Sequence, residues 1–144
     1  RLSLALDERD LGNIQQARQH ALAGLAGLQQ LDAVASADMI EYARYVLGQL
    51  DVLQQRCTPQ TRDTLDKFAA RQRALLGVQA RNGPAAWRYA RIELYLGLCA
   101  RQIAPDDEAA ARMATDAARK IVAAPGADPH TFRLARATLH ESGG

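Results

Sequence analysis

The sequence predicts an all-α fold in which pairs of helices stack side by side. Three observations carry that expectation. Alanine is abundant while Val, Ile and Thr are sparse, and alanine loses no side-chain entropy in a helix whereas β-branched residues do. Apolar residues recur at three- and four-residue spacing in seven segments separated by turn residues, and no alternating stretch reads as a strand. One eight-residue pattern is written three times: IEYARYVL from 40, WRYARIEL from 87 and FRLARATL from 132, that is, 47 and 45 residues apart.

Each element has its own punctuation. Leu2 to Leu11 is a short periodic run stopped at Gly12-Asn13. Ile14 to Leu31 follows, with Ala17, Ala21, Leu22, Leu25 and Leu28 at helical spacing. Residues 32 to 37 are a weak break, and Ser36 or Asp38 caps a third helix running to about Arg56. Thr58-Pro59 reads as a cap followed by proline at the first helical position, opening a helix to about Val78. Arg81-Asn82-Gly83-Pro84 ends it, and a fifth helix runs from Pro84 to about Ile103. Pro105-Asp106-Asp107-Glu108 starts a sixth, with acidic residues suited to the positive end of the helix dipole, and Pro125-Gly126 closes it. Asp128-Pro129 caps a last helix to about Glu141.

The three copies share Ala-Arg followed by Leu: Tyr42-Ala43-Arg44 with Leu47, Tyr89-Ala90-Arg91 with Leu94, and Leu134-Ala135-Arg136 with Leu139. Arg1 and Leu4 preserve the same Arg-to-Leu spacing near the start. The turns Gly12-Asn13, Cys57-Thr58 and Ala104-Pro105 keep step with the repeat. In the helices after them, Ala17, Ala21 and Gly24 align with Thr64, Phe68 and Arg71, then with Ala110, Ala114 and Ala117. Offsets of four and three place each set on one helical stripe, where small residues let a neighbouring helix approach. A two-helix unit at this period is the mark of a helical solenoid, because one pair cannot bury its apolar face without the next. The expected organisation is a single helical-repeat domain over 1–144, with units of about 1–33, 36–80 and 84–125 and a last helix, 128–141, as the first half of a fourth unit. The chain starts without Met, so it is expected to be a fragment of a longer array.

With those repeats in view, the chain resembles the tetratricopeptide-repeat family. Gly12, Ile14, Ala17, Ala21 and Gly24 follow the family's second-helix pattern, and Leu47-Gly48 and Leu96-Gly97 resemble its first-helix Leu-Gly pair. The Leu-Gly pairs stand two residues out of step with the Tyr-Ala-Arg alignment, which leaves the register of the third helix against the fifth open. Gly126 to His130 resembles the inter-repeat loop of longer-period members. The resemblance implies a right-handed α-solenoid of about three helix pairs plus a seventh helix. The family's usual period is shorter, and a HEAT-type solenoid also fits the period found here.

Composition narrows the function. The net charge is +2 with interspersed signs, and aromatic residues make up 5% of the chain, so neither a basic tract nor a base-stacking surface for nucleic acid is expected. No stretch is apolar enough to span a bilayer. Of the 18 basic residues only Lys67 and Lys120 are lysine; the Ala and Arg richness is associated with GC-rich bacterial genomes. Cys57 and Cys99 read as two small buried hydrophobes, fitting neither a zinc pattern nor a dense disulfide framework. His20, His130 and His140 lack partners at metal spacing and read as surface or capping residues. Asp106, Asp107 and Glu108 read as dipole-matching residues. No phosphate loop, nucleophile elbow or Cys-His context is present. The expectation is therefore no catalysis, no metal and no cofactor.

The first helix of each pair would line the concave surface of a solenoid, where partners dock. The candidate partner-binding residues are Tyr42, Arg44 and Tyr45 in the third helix and Arg88, Tyr89, Arg91 and Tyr95 in the fifth, with Glu41 beside them. Tyr and Arg dominate many interfaces, and Arg grips carboxylates bidentately. The same tyrosines could instead pack between helices, with the arginines as a solvated face. The expected function is a non-catalytic protein-interaction module, a scaffold or regulatory section of a larger bacterial protein, binding a protein or peptide segment of acidic character. The alternative is a sensory domain that binds a small molecule or signal peptide between its helices. A cytoplasmic location is slightly favoured; oligomeric state is not legible.

Overall fold

A computed structural model describes residues 2–31, 36–77, 83 and 85–142. Among these residues the chain forms seven helices and no strand, as expected: α1 (Leu2–Asp10), α2 (Ile14–Gln29), α3 (Ala37–Leu53), α4 (Pro59–Leu76), α5 (Ala86–Ile103), α6 (Glu108–Ala123) and α7 (Pro129–Glu141). The expected contribution of Arg1, the break at 32–35 and most of the turn at 81–84 lie outside the described residues.

Local chemistry sets the helix ends. Thr58 accepts a hydrogen bond from the Thr61 amide at 3.2 Å while the Thr61 hydroxyl returns one from the Thr58 amide, with Pro59 at the first position of α4. Asp107 accepts from the amides of Ala109 and Ala110, and Asp128 accepts from the Thr131 amide at 2.9 Å. These caps satisfy amides that the first helical turn leaves unpaired. Ser36 precedes α3 but makes no capping hydrogen bond.

The chain packs as two compact units, Arg1–Cys57 and Thr58–Gly144; the boundary falls within the segment 36–80 that the sequence pairs. In the first unit α1 packs on α2 and α2 on α3, with further contact between α1 and α3. Its core holds Ala5, Ala17, Ala21, Val46 and Leu50, flanked by Leu6, Ile14, Tyr42, Leu47 and Leu53. Helices α1 and α3 end in the same way. After α1, the Asn13 amide bonds the Glu8 carbonyl and the Gly12 amide bonds that of Arg9, with Gly12 at φ +84°. After α3, Arg56 and Gln55 bond the carbonyls of Asp51 and Val52, with Gln55 at φ +56°. Both are paired-bond C-caps that require a left-handed residue; the first uses glycine and the second does not.

In the second unit α4 packs on α5, α5 on α6 and α6 on α7. Every residue from Leu94 to Ala100 is buried, the behaviour of a helix covered on more than one side. The closest approach is at Gly97, where a methyl group would lie 2.7 Å from the Ala114 amide nitrogen. Ala110, Ala114, Ala117, Ala118 and Ile121 are the buried residues of α6, which packs on α5 and α7. Three hydrogen bonds tie α7 and its cap to α5: Arg91 to Asp128, Tyr95 with His130, and Arg101 to Glu141. Early residues of α5 meet the start of α7 and late ones meet its end, so the two helices run in the same direction. The repeated alanines Ala43, Ala90 and Ala135 are all buried, at 1% exposure or less.

Neither cysteine is a free thiol. Cys57 and Cys99 are both disulfide-bonded, which corrects the reading of two simple buried hydrophobes. Oxidation depends on tertiary distance, which sequence spacing does not reveal.

Candidate functional site

The residues with recognition chemistry lie on α5 and α7, with a smaller set on α3. On α5 the helical period places Trp87, Arg88 and Arg91 on adjoining positions of the first two turns. Both guanidinium groups lie over the half-buried Trp87 ring, at 5.6 Å for Arg88 and 5.3 Å for Arg91. Such contacts are worth about 0.5–1 kcal/mol where exposed, and they restrain the side chain. Arg91 Nη1 also donates to Asp128 Oδ2 at 3.3 Å, and Asp128 Oδ2 accepts from the Thr131 hydroxyl at 2.7 Å. One carboxylate thus caps α7 and orients an arginine of α5. The Arg91 Nε is buried and lacks a hydrogen-bond partner among the described residues. Gly126 lies beside Trp87: a methyl group added there would stand 3.5 Å from the indole Nε1, in ordinary van der Waals contact.

The structure separates the seven sequence-predicted partner-binding residues by burial. Tyr45, Tyr89 and Tyr95 are buried. Tyr95 shares a 3.3 Å hydrogen bond with His130, and Tyr89 accepts one at 2.8 Å from Arg73 of α4. That bond, with the phenol's electrostatic contribution, raises an already high guanidinium pKa, so Arg73 is charged at every working pH. Tyr42 is half-buried on α3, and its ring is tilted 55° to that of Tyr45 with centroids 6.1 Å apart. Arg44 and Arg88 are exposed, and Arg91 is half-buried. Tyr42, Arg44 and Tyr45 belong to the first unit; the other four belong to the second.

Two participants, Trp87 and Phe132, were not singled out from the sequence, and a third, His130, reads there as a surface or capping residue. Trp87 is the platform for two arginines, and Phe132 of α7 plays the same part for Arg136, whose guanidinium lies 5.9 Å from the ring. His130 is the partner of Tyr95. The signal for the first two was present: WRYAR and FRLAR each place an aromatic residue four before an arginine, the spacing that brings side chains together on a helix.

The first unit contains a different feature. An open groove of about 400 Å³ is lined by Leu2, Ser3, Ala23, Gly24, Gly27, Leu28, Leu31 and Met39. Ser3 supplies its one polar side chain. Among the described residues no group of three or more His, Cys, Asp or Glu gathers to hold a metal ion, and no helix is long and apolar enough to cross a membrane. Comparison with protein-family models, with characterised proteins and with solved structures finds no match.

Proposed function

We propose that this chain is a non-catalytic protein-interaction module built from tetratricopeptide-like or related helix pairs. The observation that carries the reading is the shared exposure pattern of the repeated segments. In each the alanine is buried; the arginine that follows is exposed in two copies, Arg44 and Arg136, and half-buried against Trp87 and Asp128 in the third, Arg91. An outward cation beside an inward alanine recurs in two of the three copies, which suits a partner longer than a metabolite. The like C-caps of α1 and α3 and the parallel run of α5 and α7 support the helix-pair reading. Disulfide bonding of both cysteines favours an oxidising compartment over the cytoplasm.

The test is capture of partners by the chain and by its Arg44→Ala/Arg88→Ala variant. Both positions are exposed, so the variant is expected to stay folded and to lose no more than the Arg88–Trp87 ring contact. Loss of specific partners with the fold intact is the expected result; identical recovery would defeat the reading.

The groove in the first unit supports a second reading, a sensory domain for a small apolar ligand. Its lining and size match a ligand site, although it is open rather than enclosed. A ligand specific for the folded state raises apparent stability. Thermal-shift screening with apolar compounds is expected to show hits that Gly27→Leu abolishes by filling the groove. A flat response across the library would end this reading.

A further inference from the structure

We infer that Arg88 of α5 with Arg133 and Arg136 of α7 form a diagonal row of cations that binds an extended acidic peptide segment through its side-chain carboxylates. This deepens the interaction-module reading and rests on it. It also extends the binding residues from α5 to α7, which the sequence pattern marks as a repeat but not as a binding element.

Four observations lead there. The segments WRYAR and FRLAR align Trp87 with Phe132, Arg88 with Arg133 and Arg91 with Arg136. In both, the arginine four residues on lies over the aromatic ring, at 5.3 Å in α5 and 5.9 Å in α7. The arrangement is therefore made twice in one unit. Second, Arg88, Arg133 and Arg136 are all exposed, and no carboxylate pairs with them among the described residues. Arg91, by contrast, is engaged by Asp128. Of the four arginines in the two segments, the three of the row thus carry charge that no carboxylate of the described residues neutralises.

Third, the geometry suits an extended ligand rather than a single anion. The hydrogen bonds between α5 and α7 join residues 35, 37 and 40 apart in the chain, whereas the copies are 45 apart. The α7 arginines are therefore shifted along the common direction by five to ten residues, roughly 7–15 Å at the helical rise. An extended peptide covers that distance in about two to four residues. Acidic side chains at that separation could reach both helices, while one phosphate or sulfate could not. Fourth, a guanidinium resting on a ring is held in place but keeps its in-plane N–H groups for bidentate bonds to carboxylate. The same stacking argues against single-stranded nucleic acid, whose bases need the ring faces that the arginines already cover.

Trp87 is the chain's one tryptophan, so its emission reports on this surface. The experiment titrates the intact chain into labelled octaglutamate, octaglutamine and an oligouridylate, reading peptide or RNA anisotropy together with Trp87 emission. The expected result is saturable octaglutamate binding that perturbs Trp87 and weakens with salt, with no binding of octaglutamine. Arg88→Gln/Arg133→Gln/Arg136→Gln should weaken it at least about tenfold, the loss of one or more charge-assisted pairs, while the variant stays folded. The matching triple Lys variant keeps the charge and is expected to lose only about threefold, because lysine cannot form the planar bidentate contact. Should the Gln variant unfold, the Lys variant decides: an affinity equal to that of the unaltered chain overturns the role of the stacked guanidiniums. Absent octaglutamate binding, equal binding by a folded Gln variant, or tighter binding of the oligouridylate would each overturn the proposal. Partner capture that depends on Arg44 and Arg88 without octaglutamate binding would leave the module standing and remove only its acidic occupant. Arginine-dependent octaglutamate binding with unchanged partner capture would do the reverse.

Discussion

Helices α2 and α6 carry nearly the same small residues at the same spacing, yet they use them differently. On α2, Ala17 and Ala21 are buried, but Gly24 and Gly27 line an open groove. A methyl group at Gly27 would meet nothing within 4 Å. On α6, Ala110, Ala114 and Ala117 are all buried, and Ala114 meets Gly97 so closely that a methyl group there has no room. Small residues permit close approach, but only a neighbouring backbone turns the permission into packing. Gly97 of the second unit is thus a contact, and Gly27 of the first faces open space.

The sharpest way to break this contrast is to truncate one large side chain in each place. Ile121 of α6 is fully buried, so Ile121→Ala should cost about 2–5 kcal/mol in unfolding free energy. Leu28 is half-exposed on the groove wall, and Leu28→Ala should cost about 1 kcal/mol or less, since only part of its area leaves water on folding. Similar losses at both sites would mean that the groove is as well packed as the α5–α6 contact.

Adding a methyl group sharpens the contrast through its sign. Gly97→Ala must push α6 away or distort α5, and a loss of about 1–3 kcal/mol is expected. Gly27→Ala adds only helix propensity, and a gain of about 0.5–1 kcal/mol is expected. Thermal or urea melts of the two variants give opposite shifts if the packing is as described, and shifts of one sign if it is not.

The matching C-caps offer a smaller effect. Gln55 holds the left-handed position that Gly12 fills after α1. Gln55→Gly should stabilise the first unit by up to about 1 kcal/mol, by relieving a conformation that side chains disfavour. A loss on this substitution would show that the Gln55 side chain makes a contact worth more than the strain.

Much of the fold was legible in the sequence because its signals are local. Thr58-Pro59, Asp128-Pro129 and Gly12-Asn13 each set a helix end within a few residues of where the structure has it. The repeat spacing also located three alanines that are all buried. The candidate site was less legible because it depends on which helices cover which faces. Tyr95 shares a helical face with Arg88 and Arg91, but α5 is enclosed from Leu94 onward, so Tyr95 is buried where Arg88 is exposed. A face is a property of one helix; burial is a property of its neighbours. The state of the two cysteines was hidden for the same reason. The stacked Trp87–Arg91 and Phe132–Arg136 pairs are readable from spacing alone, because each aromatic residue stands four before its arginine.

The central claim is that the three repeated segments occupy like places, each with its alanine pressed against neighbouring side chains. Urea unfolding of Ala43→Leu, Ala90→Leu and Ala135→Leu tests it most directly. Each enlarged side chain should lower stability by about 1–3 kcal/mol, the usual cost of overpacking a filled site. If one of the three were neutral or stabilising while the others were costly, the positions would not be equivalent and the repeat would be one of letters only.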